Sequence, residues 1–361
     1  MCKHIKLLKH FLIGILFFSQ LVLSQTTRKY SNEFLSIGVD AASLGMGKAV
    51  VATTDDVNAT YWNPAGLLSI NENQASLMHA EYFAGIAKYD YAAYAFSVDD
   101  QSALGFSLIR FGVDDILNTT ELIDNQGNID YNRISLFSAA DYALHIAYAR
   151  KLKYNDIKFG INSKIVRRVI GNFASSWGVG FDIGFQHEKG NWKYGLMLRD
   201  ITTTFNAWSI NQAAFEKIQL AIPGQNQDKP ETIELTLPKA QIGIARTFAI
   251  NRDFNLLTAL DLNLRFAKTN DILATDIVSI EPAFGFQLSF IELVYLRGGI
   301  NNIQKELQFD ETNSYTFQPN FGIGFQYQGI QLDYALTNIG SIGNALYSNI
   351  FSLKIDFEYF K

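Results

Sequence analysis

The chain has 361 residues, a formal charge of −5 and one cysteine, Cys2. Aromatic residues make up 14% and charged residues 18%, yet beyond the first 24 residues no run reaches the ~18 apolar residues of a membrane helix. A net negative chain lacks the basic footprint of a nucleic-acid binder. With its only cysteine at position 2, the mature chain offers no disulfide, thiolate metal site or cysteine nucleophile. A large soluble domain or a transmembrane β-barrel remains.

The first predicted element is an address. MCKHIKLLKH is a basic n-region and FLIGILFFSQLVLS an apolar h-region. Val22 and Ser24 suit a cleavage site, so residues 1–24 read as a signal peptide removed before Gln25. Cys2 precedes the h-region and cannot be a lipoprotein cysteine. Losing Lys3, Lys6 and Lys9 leaves 27 basic against 35 acidic residues. The chain is therefore expected to be exported.

Residues 31–70 do not alternate as strands. Asp40 can cap a short helix over Ala41–Met46. Asn63-Pro64 reads as a helix start, with Asn63 as N-cap and Pro64 at the first position. Asn63, Pro64 and Gly66 are either a plain cap or a fixed corner that shapes a channel. Gly45 and Gly47 permit close backbone approach, for packing or for gating.

From residue 74 onward the pattern has period 2. In 179–186, Val179, Phe181, Ile183 and Phe185 alternate with Gly180, Asp182, Gly184 and Gln186. Side chains alternate across a strand, so such a segment has one apolar and one small or polar face. Fourteen segments qualify, near 74–82, 88–97, 102–112, 141–150, 156–167, 176–187, 191–200, 237–249, 254–266, 277–289, 291–300, 317–327, 329–338 and 348–360. The even number and their lengths suit a barrel. Even-to-odd links, such as 98–101, 187–190 and 328, are a few residues at most. Odd-to-even links, such as 113–140 and 201–236, are long, which is the periplasmic and extracellular pattern of outer-membrane barrels. A β-sandwich is the rival, but it would hide its apolar faces in one core. Residues 73–361 are therefore assigned to the barrel, ending on the aromatic-rich strand 348–360.

Little chemistry is legible. His79, His145 and His187 stand singly without metal-ligand spacing, and no Gly-x-Ser-x-Gly elbow occurs. No enzyme activity, cofactor or metal is expected. His145 takes a lumen phase and is expected to be solvated or hydrogen-bonded. Gly178, Gly180, Gly322 and Gly324 sit inside strands as small lumen positions that leave room for a plug. By phase, Lys158, Lys164, Lys193, Arg199, Arg265 and Lys354 share the lumen with Asp182, Asp261, Asp333 and Asp356. Such mixed charges suit ion pairs that hold a plug rather than a one-sign porin. On loop 201–236, Phe205, Trp208 and Phe215, with Ile218, Leu220 and Ile222, form either a docking surface or lid, or a packing over the barrel's own mouth.

The N-terminal stretch carries a resemblance. Phe34-Leu35, Ala41-Ala42, Leu44-Gly45-Met46-Gly47, the run 49–54, Asp55-Asp56 and Asn63-Pro64-Ala65-Gly66 resemble the PorV/PorQ group of Bacteroidota outer-membrane proteins. That group belongs to the superfamily of the fatty-acid transporter FadL. The resemblance implies an all-β transmembrane barrel of about 14 strands with residues 25–72 folded into the lumen as a plug containing short helices. Its functional implication is type IX protein secretion, with a translocon or surface-attachment proteins as partners met through extracellular loops. The alternative is a FadL-like channel for small hydrophobic molecules. Both would sit in outer-membrane lipid.

Overall fold

The computed structural model describes residues 31–123, 126–153, 156–221, 232–307, 312–337 and 348–360. The expected signal peptide and residues 25–30 lie outside these, as do Ile222 and Lys361. The side chains of Ile218 and Leu220 are likewise outside the description.

Seventeen strands occur among the described residues: β1 Gln74–Tyr82, β2 Ala87–Asp99, β3 Ser102–Asn118, β4 Ser135–Lys151, β5 Lys158–Ile170, β6 Ala174–Lys189, β7 Trp192–Arg199, β8 Thr204–Ile210, β9 Ile233–Thr236, β10 Lys239–Ala249, β11 Phe254–Arg265, β12 Leu273–Ala274, β13 Ser279–Phe290, β14 Val294–Leu307, β15 Asn313–Tyr327, β16 Ile330–Thr337 and β17 Ser348–Asp356. Fourteen of them close an antiparallel barrel. β1 pairs with β17, with Leu77 opposite Leu353. β7 crosses to β10 with Leu198 opposite Ala240, and β11 to β13. The remaining three are extensions at the outer mouth. β8 continues the sheet from upper β6, β9 lies on β8, and β12 on β13.

Alternation sets the two faces. In β6, Val179 and Phe181 point outward and are exposed, whereas Asp182 between its strand neighbours is buried inside. Leu77, Phe106, Leu108, Ile161, Ile323, Leu332 and Phe351 continue the outward apolar belt. No helix among the described residues is long and apolar enough to cross a membrane; the strands are the crossing elements. The turn between β15 and β16 is tight because Gln328 and Gly329 both take positive φ, 46° and 79°, which matches the twist of paired strands.

Two expectations change. The segments 113–140 and 201–236 are not loops throughout. β3 runs on to Asn118 and β4 begins at Ser135, with a bulge between Val113 and Ile116. Above the bilayer both faces of a strand meet water, so hydrogen bonding continues after the apolar alternation stops. At the other end, β17 stops at Asp356 and Phe357–Phe360 form a 3-10 turn rather than more strand. The Asp356 carboxylate accepts from the Glu358 amide at 3.1 Å, while the Phe357 amide donates to Asn73 O at 3.0 Å. These two bonds turn the chain out of the ladder.

Residues 31–72 lie inside the barrel. They form a 3-10 turn Glu33–Ser36, helices Ala41–Gly45 and Ala59–Trp62, and a second 3-10 turn Pro64–Ser69. Val39, Leu44, Val51, Val57, Trp62 and Leu67 are buried there. On one side they meet Tyr82, Tyr89, Ala95, Ala103, Ile109, Ala143 and Ala147 of β1–β4. Alanine at these inward positions lets the plug approach closely, and burying this surface is the main attraction holding it.

Candidate functional site: the plugged lumen

The plug is built from the residues that the sequence singled out. Asp40 accepts from the Ser43 amide at 3.1 Å and caps Ala41–Gly45 as expected. It also receives the Ser352 hydroxyl of β17 at 3.0 Å. Asn63 caps Pro64–Ser69, accepting from the Ala65 amide at 3.3 Å. Its amide nitrogen donates to Val51 O at 2.9 Å and to Phe185 O of β6 at 3.1 Å. Asn63 is therefore a cap and a strut at once. Pro64 sits against Gly160, where a Cβ would collide with it. Gly66 is kept small by Thr54 of the plug itself. A Cβ on Gly45 would stand 3.0 Å from Gly322 Cα. Gly47 has φ 63° and packs on Gly299 and Ile300, so both its conformation and its contact favour glycine.

The lumen glycines divide. Gly322 makes room for the plug, but Gly178 and Gly180 make room for Asn206 and Thr204 of β8, and Gly324 for Arg297 and Asp333. The charges divide in the same way. Lys193 reaches Asp55 at 3.1 Å, Lys354 reaches Asp56 at 2.7 Å and Lys239 reaches Glu33 at 3.4 Å, all wall to plug. Asp261 accepts from the Val51 amide at 2.9 Å. Lys158 bridges Ser69 and Glu188 at 2.8 Å each. Lys164, by contrast, is buried between Asp182 and Asp200 at 2.8 and 2.6 Å, within the wall. Arg265 holds Asp271 and Glu281, and Arg297, which alternation alone does not single out, holds Asp333. Among the described residues the plug makes no backbone-to-backbone hydrogen bond to the wall. Its polar attachments all run through side chains.

Cavities lie on either side of the plug. The outer one has a volume of about 560 Å³ and is lined by the plug residues Leu35, Ile37, Lys48, Tyr61 and Trp62 and by wall residues from β4 to β15. Its charges are Lys48, Lys164, Arg199, Lys239 and Arg265 against Glu33, Asp182, Asp200 and Glu281. Gln241, Asn263, Asn301 and Gln318 add amides. Arg199 lies 4.8 Å over the Tyr61 ring and donates to Gln241 Oε1 at 2.7 Å. His145 differs from expectation. It faces this cavity, is 1% exposed and stacks on Tyr61 at 5.9 Å. Both of its ring nitrogens lack a hydrogen-bond partner. Its same-face neighbours on β4 are Ala143 and Ala147; opposite it on β5, Lys164 is taken by Asp182 and Asp200, and opposite it on β3 the Ser107 hydroxyl also lacks a partner.

The inner cavity, about 360 Å³, is lined by Asp40, Asp55, Asp56, Lys193, Arg297, Gln331 and Lys354 among others. Burial raises the Asp40 carboxyl to about 6, with Asp333 and Asp56 adding to the rise. Burial lowers the Lys48 ammonium. No cluster of metal-ligating side chains occurs among the described residues. A third concavity, about 1000 Å³, lies on the outside of the wall. It sits where β1, β16 and β17 are only 9, 8 and 9 residues long. Leu77, Leu108, Ile323, Phe325, Leu332 and Leu353 line it.

At the outer mouth the three loop aromatics do not share one surface. Phe205 is 56% exposed. Trp208 is half-buried under the Arg168 guanidinium at 5.3 Å. Phe215 is 9% exposed and offers no contact area. It lies in the helix Gln212–Ala221, so part of the segment packs on its own barrel.

No protein-family model matches the chain, and no curated protein does. Solved structures do resemble it. The Pseudomonas putida toluene transporter TodX matches with a TM-score of 0.53 and 12% identity, over 89% of this chain and 99% of that one. The CymD monoaromatic hydrocarbon channel matches with 0.52 and 11% identity, over 91% and 97%. A Pseudomonas aeruginosa FadL homologue matches with 0.50 and 12% identity, over 88% and 98%. At such identities the likeness establishes the fold, a FadL-like barrel with a plug. The fold that the sequence resemblance implied agrees with it. The PorV/PorQ branch and type IX secretion find no support among these structures.

Proposed function

We propose that the protein is a plugged outer-membrane channel for uptake of small hydrophobic or amphiphilic molecules. The observation that carries this reading is the mode of plug attachment. One side of the plug is buried against the apolar inner face of β1–β4. The other side is tied to β7–β17 by side-chain bonds such as Lys193–Asp55 and Lys354–Asp56. When the plug leaves that wall, water replaces each such bond, at a net cost of about 0.5–1.5 kcal/mol each. The plug opens by leaving the polar wall while staying on the apolar one, which joins the two cavities. The fold likeness to hydrocarbon channels supports this direction, as analogy only. The short wall at β16, β17 and β1, with its apolar outer groove, offers release into the membrane. The test is uptake of radiolabelled toluene by a Gram-negative host that displays lipopolysaccharide. Cells carrying the protein should accumulate it several-fold faster than cells without it; equal rates would overturn the reading.

A second reading, a docking role in type IX secretion, rests on the N-terminal residue resemblance and on the exposed apolar strip of β8 and β9. Phe205, Ile233 and Leu235 are all exposed there. Pull-down from the native membrane tests it. Recovery of a large translocon barrel, lost on deleting residues 201–236, would favour it over the channel.

A further inference from the structure

We propose that the groove on the outside of the wall binds one zwitterionic phospholipid, with its acyl chains in the groove and its head at the groove's outer rim. The site faces lipid rather than the lumen, so it stands whether or not the lumen conducts.

Two adjacent register rows build the groove. The first is apolar: Leu332, Leu353, Leu77, Ala92 and Leu108 stand side by side on β16, β17, β1, β2 and β3. The second lies one alternation step nearer the β1–β2 turn, on the outer side. It reads Tyr334, Phe351, His79, Asp90, Arg110 and Tyr142. Every residue of both rows lines the groove. Ile323 and Phe325 of β15 extend its apolar part. Aromatic residues mixed with charges mark the edge of the hydrocarbon on a membrane barrel. That edge therefore runs through a single concavity. A molecule that fills it is apolar below and polar at its outer end. The volume of about 1000 Å³ reaches the top of the small-ligand range of about 300–1,000 Å³, so there is room for acyl chains.

The rim selects the head. Lys88 stands 3.9 Å from Asp114, and Arg110 stands 3.7 Å from Asp114 and 3.4 Å from Asp90. These contacts are long beside the about 2.7–2.9 Å of a closed charge-assisted bond, and the side chains are partly exposed. Only His79 and Asp90 are in close contact, at 2.7 Å. Glu81 stands opposite Lys88 on the neighbouring strand. The rim thus sets two cations, Lys88 and Arg110, against three carboxylates, Glu81, Asp90 and Asp114. A purely anionic head meets a net negative rim there. A zwitterion brings its phosphate to Arg110 and Lys88 and its ammonium to Glu81 and Asp114, so both signs are matched.

The experiment is native mass spectrometry of the full chain released from nanodiscs. The nanodiscs hold equal parts of phosphatidylethanolamine and phosphatidylglycerol with identical acyl chains. The chain should retain one phosphatidylethanolamine in about tenfold excess over phosphatidylglycerol. Leu332→Trp, which fills the apolar part of the groove, should expel both lipids. Glu81→Gln/Asp114→Asn leaves the groove's packing alone and turns the rim's balance positive. It should bring phosphatidylglycerol up to parity. Equal retention of the two lipids by the parent chain, no retained lipid, or retention that neither variant alters would overturn the proposal. A dimer that Leu332→Trp splits would also overturn it and give the groove to a second copy of the chain. Toluene uptake is read separately: its failure sinks the channel and leaves the lipid site in place.

Discussion

The two inner walls of this barrel hold the same plug by different physics. The β1–β4 wall presents mainly alanine, tyrosine and isoleucine, which share one buried apolar cluster with Trp62 and Leu67. The β7–β17 wall adds only Ala245, Ala259, Ala283, Ala335 and Ile350 to that cluster and otherwise presents lysine, arginine, aspartate and amides; the inner cavity opens along it, and the outer one reaches from it round to β4. Dry packing is lost as a unit, because apolar contacts have no substitute in water. Polar contacts are lost one by one, because water replaces each. A plug held this way has a fixed side and a releasable side.

Substitutions sharpen that contrast. The largest effect is expected at Lys164→Ala, which leaves Asp182 and Asp200 buried without their cation. It should cost about 3–5 kcal/mol, read as a lower thermal midpoint of the folded barrel. Next comes Leu67→Ala on the dry side, at about 2–5 kcal/mol. It should appear as faster hydrogen exchange throughout residues 59–70, whereas Gln241→Ala on the other wall should leave that exchange unchanged.

A pH effect follows from Asp40, whose folded value of about 6 lies above its ordinary 3.8. A carboxyl raised on folding favours the docked state when protonated, so docking is firmest at low pH and weakens as pH rises through about 6. Exchange at Ala41–Gly45 should rise over that window, and Asp40→Asn should flatten the dependence. The smallest effect belongs to Lys193→Ala. Its pair with Asp55 is partly exposed and contributes about 0–1 kcal/mol, so stability should be nearly unchanged.

Much of this was legible in the residues. Period-2 alternation marks strands wherever one face meets lipid, and the strand cores of β1, β6, β10 and β11 lie where it places them. It fails above the bilayer, where β3 and β4 continue with both faces wet and where the buried face of β8 is polar, Thr204 and Asn206. The caps at Asp40 and Asn63 are local and were readable, because a side chain bonds a backbone amide two or three residues on. The site was less so. Arg297 sits in the run Leu296-Arg297-Gly298-Gly299, and its partner Asp333 is on another strand. His145 has the right phase, but its lack of partners depends on what β3, β5 and the plug bring against it. Phe215 looks like an exposed loop aromatic until the helix around it is seen to pack. Long-range register decides each of these, and no single segment encodes it.

The most direct test of a plug with one fixed and one releasable side uses two disulfide locks in a chain whose one cysteine is Cys2. A Cβ on Gly243 of the polar wall would stand 3.3 Å from that of Ala52, close to the span of about 3.5–4.5 Å that a disulfide bridges. On the dry wall, a Cβ on Gly105 would press on Thr60 Cγ2, an atom that Thr60→Cys removes. Uptake is then measured oxidised and reduced for Gly243→Cys/Ala52→Cys and for Gly105→Cys/Thr60→Cys. Oxidation should stop uptake in the first pair, reversibly, and leave it intact in the second. Uptake that survives the polar-wall lock, or that stops only with the dry-wall lock, would contradict the account.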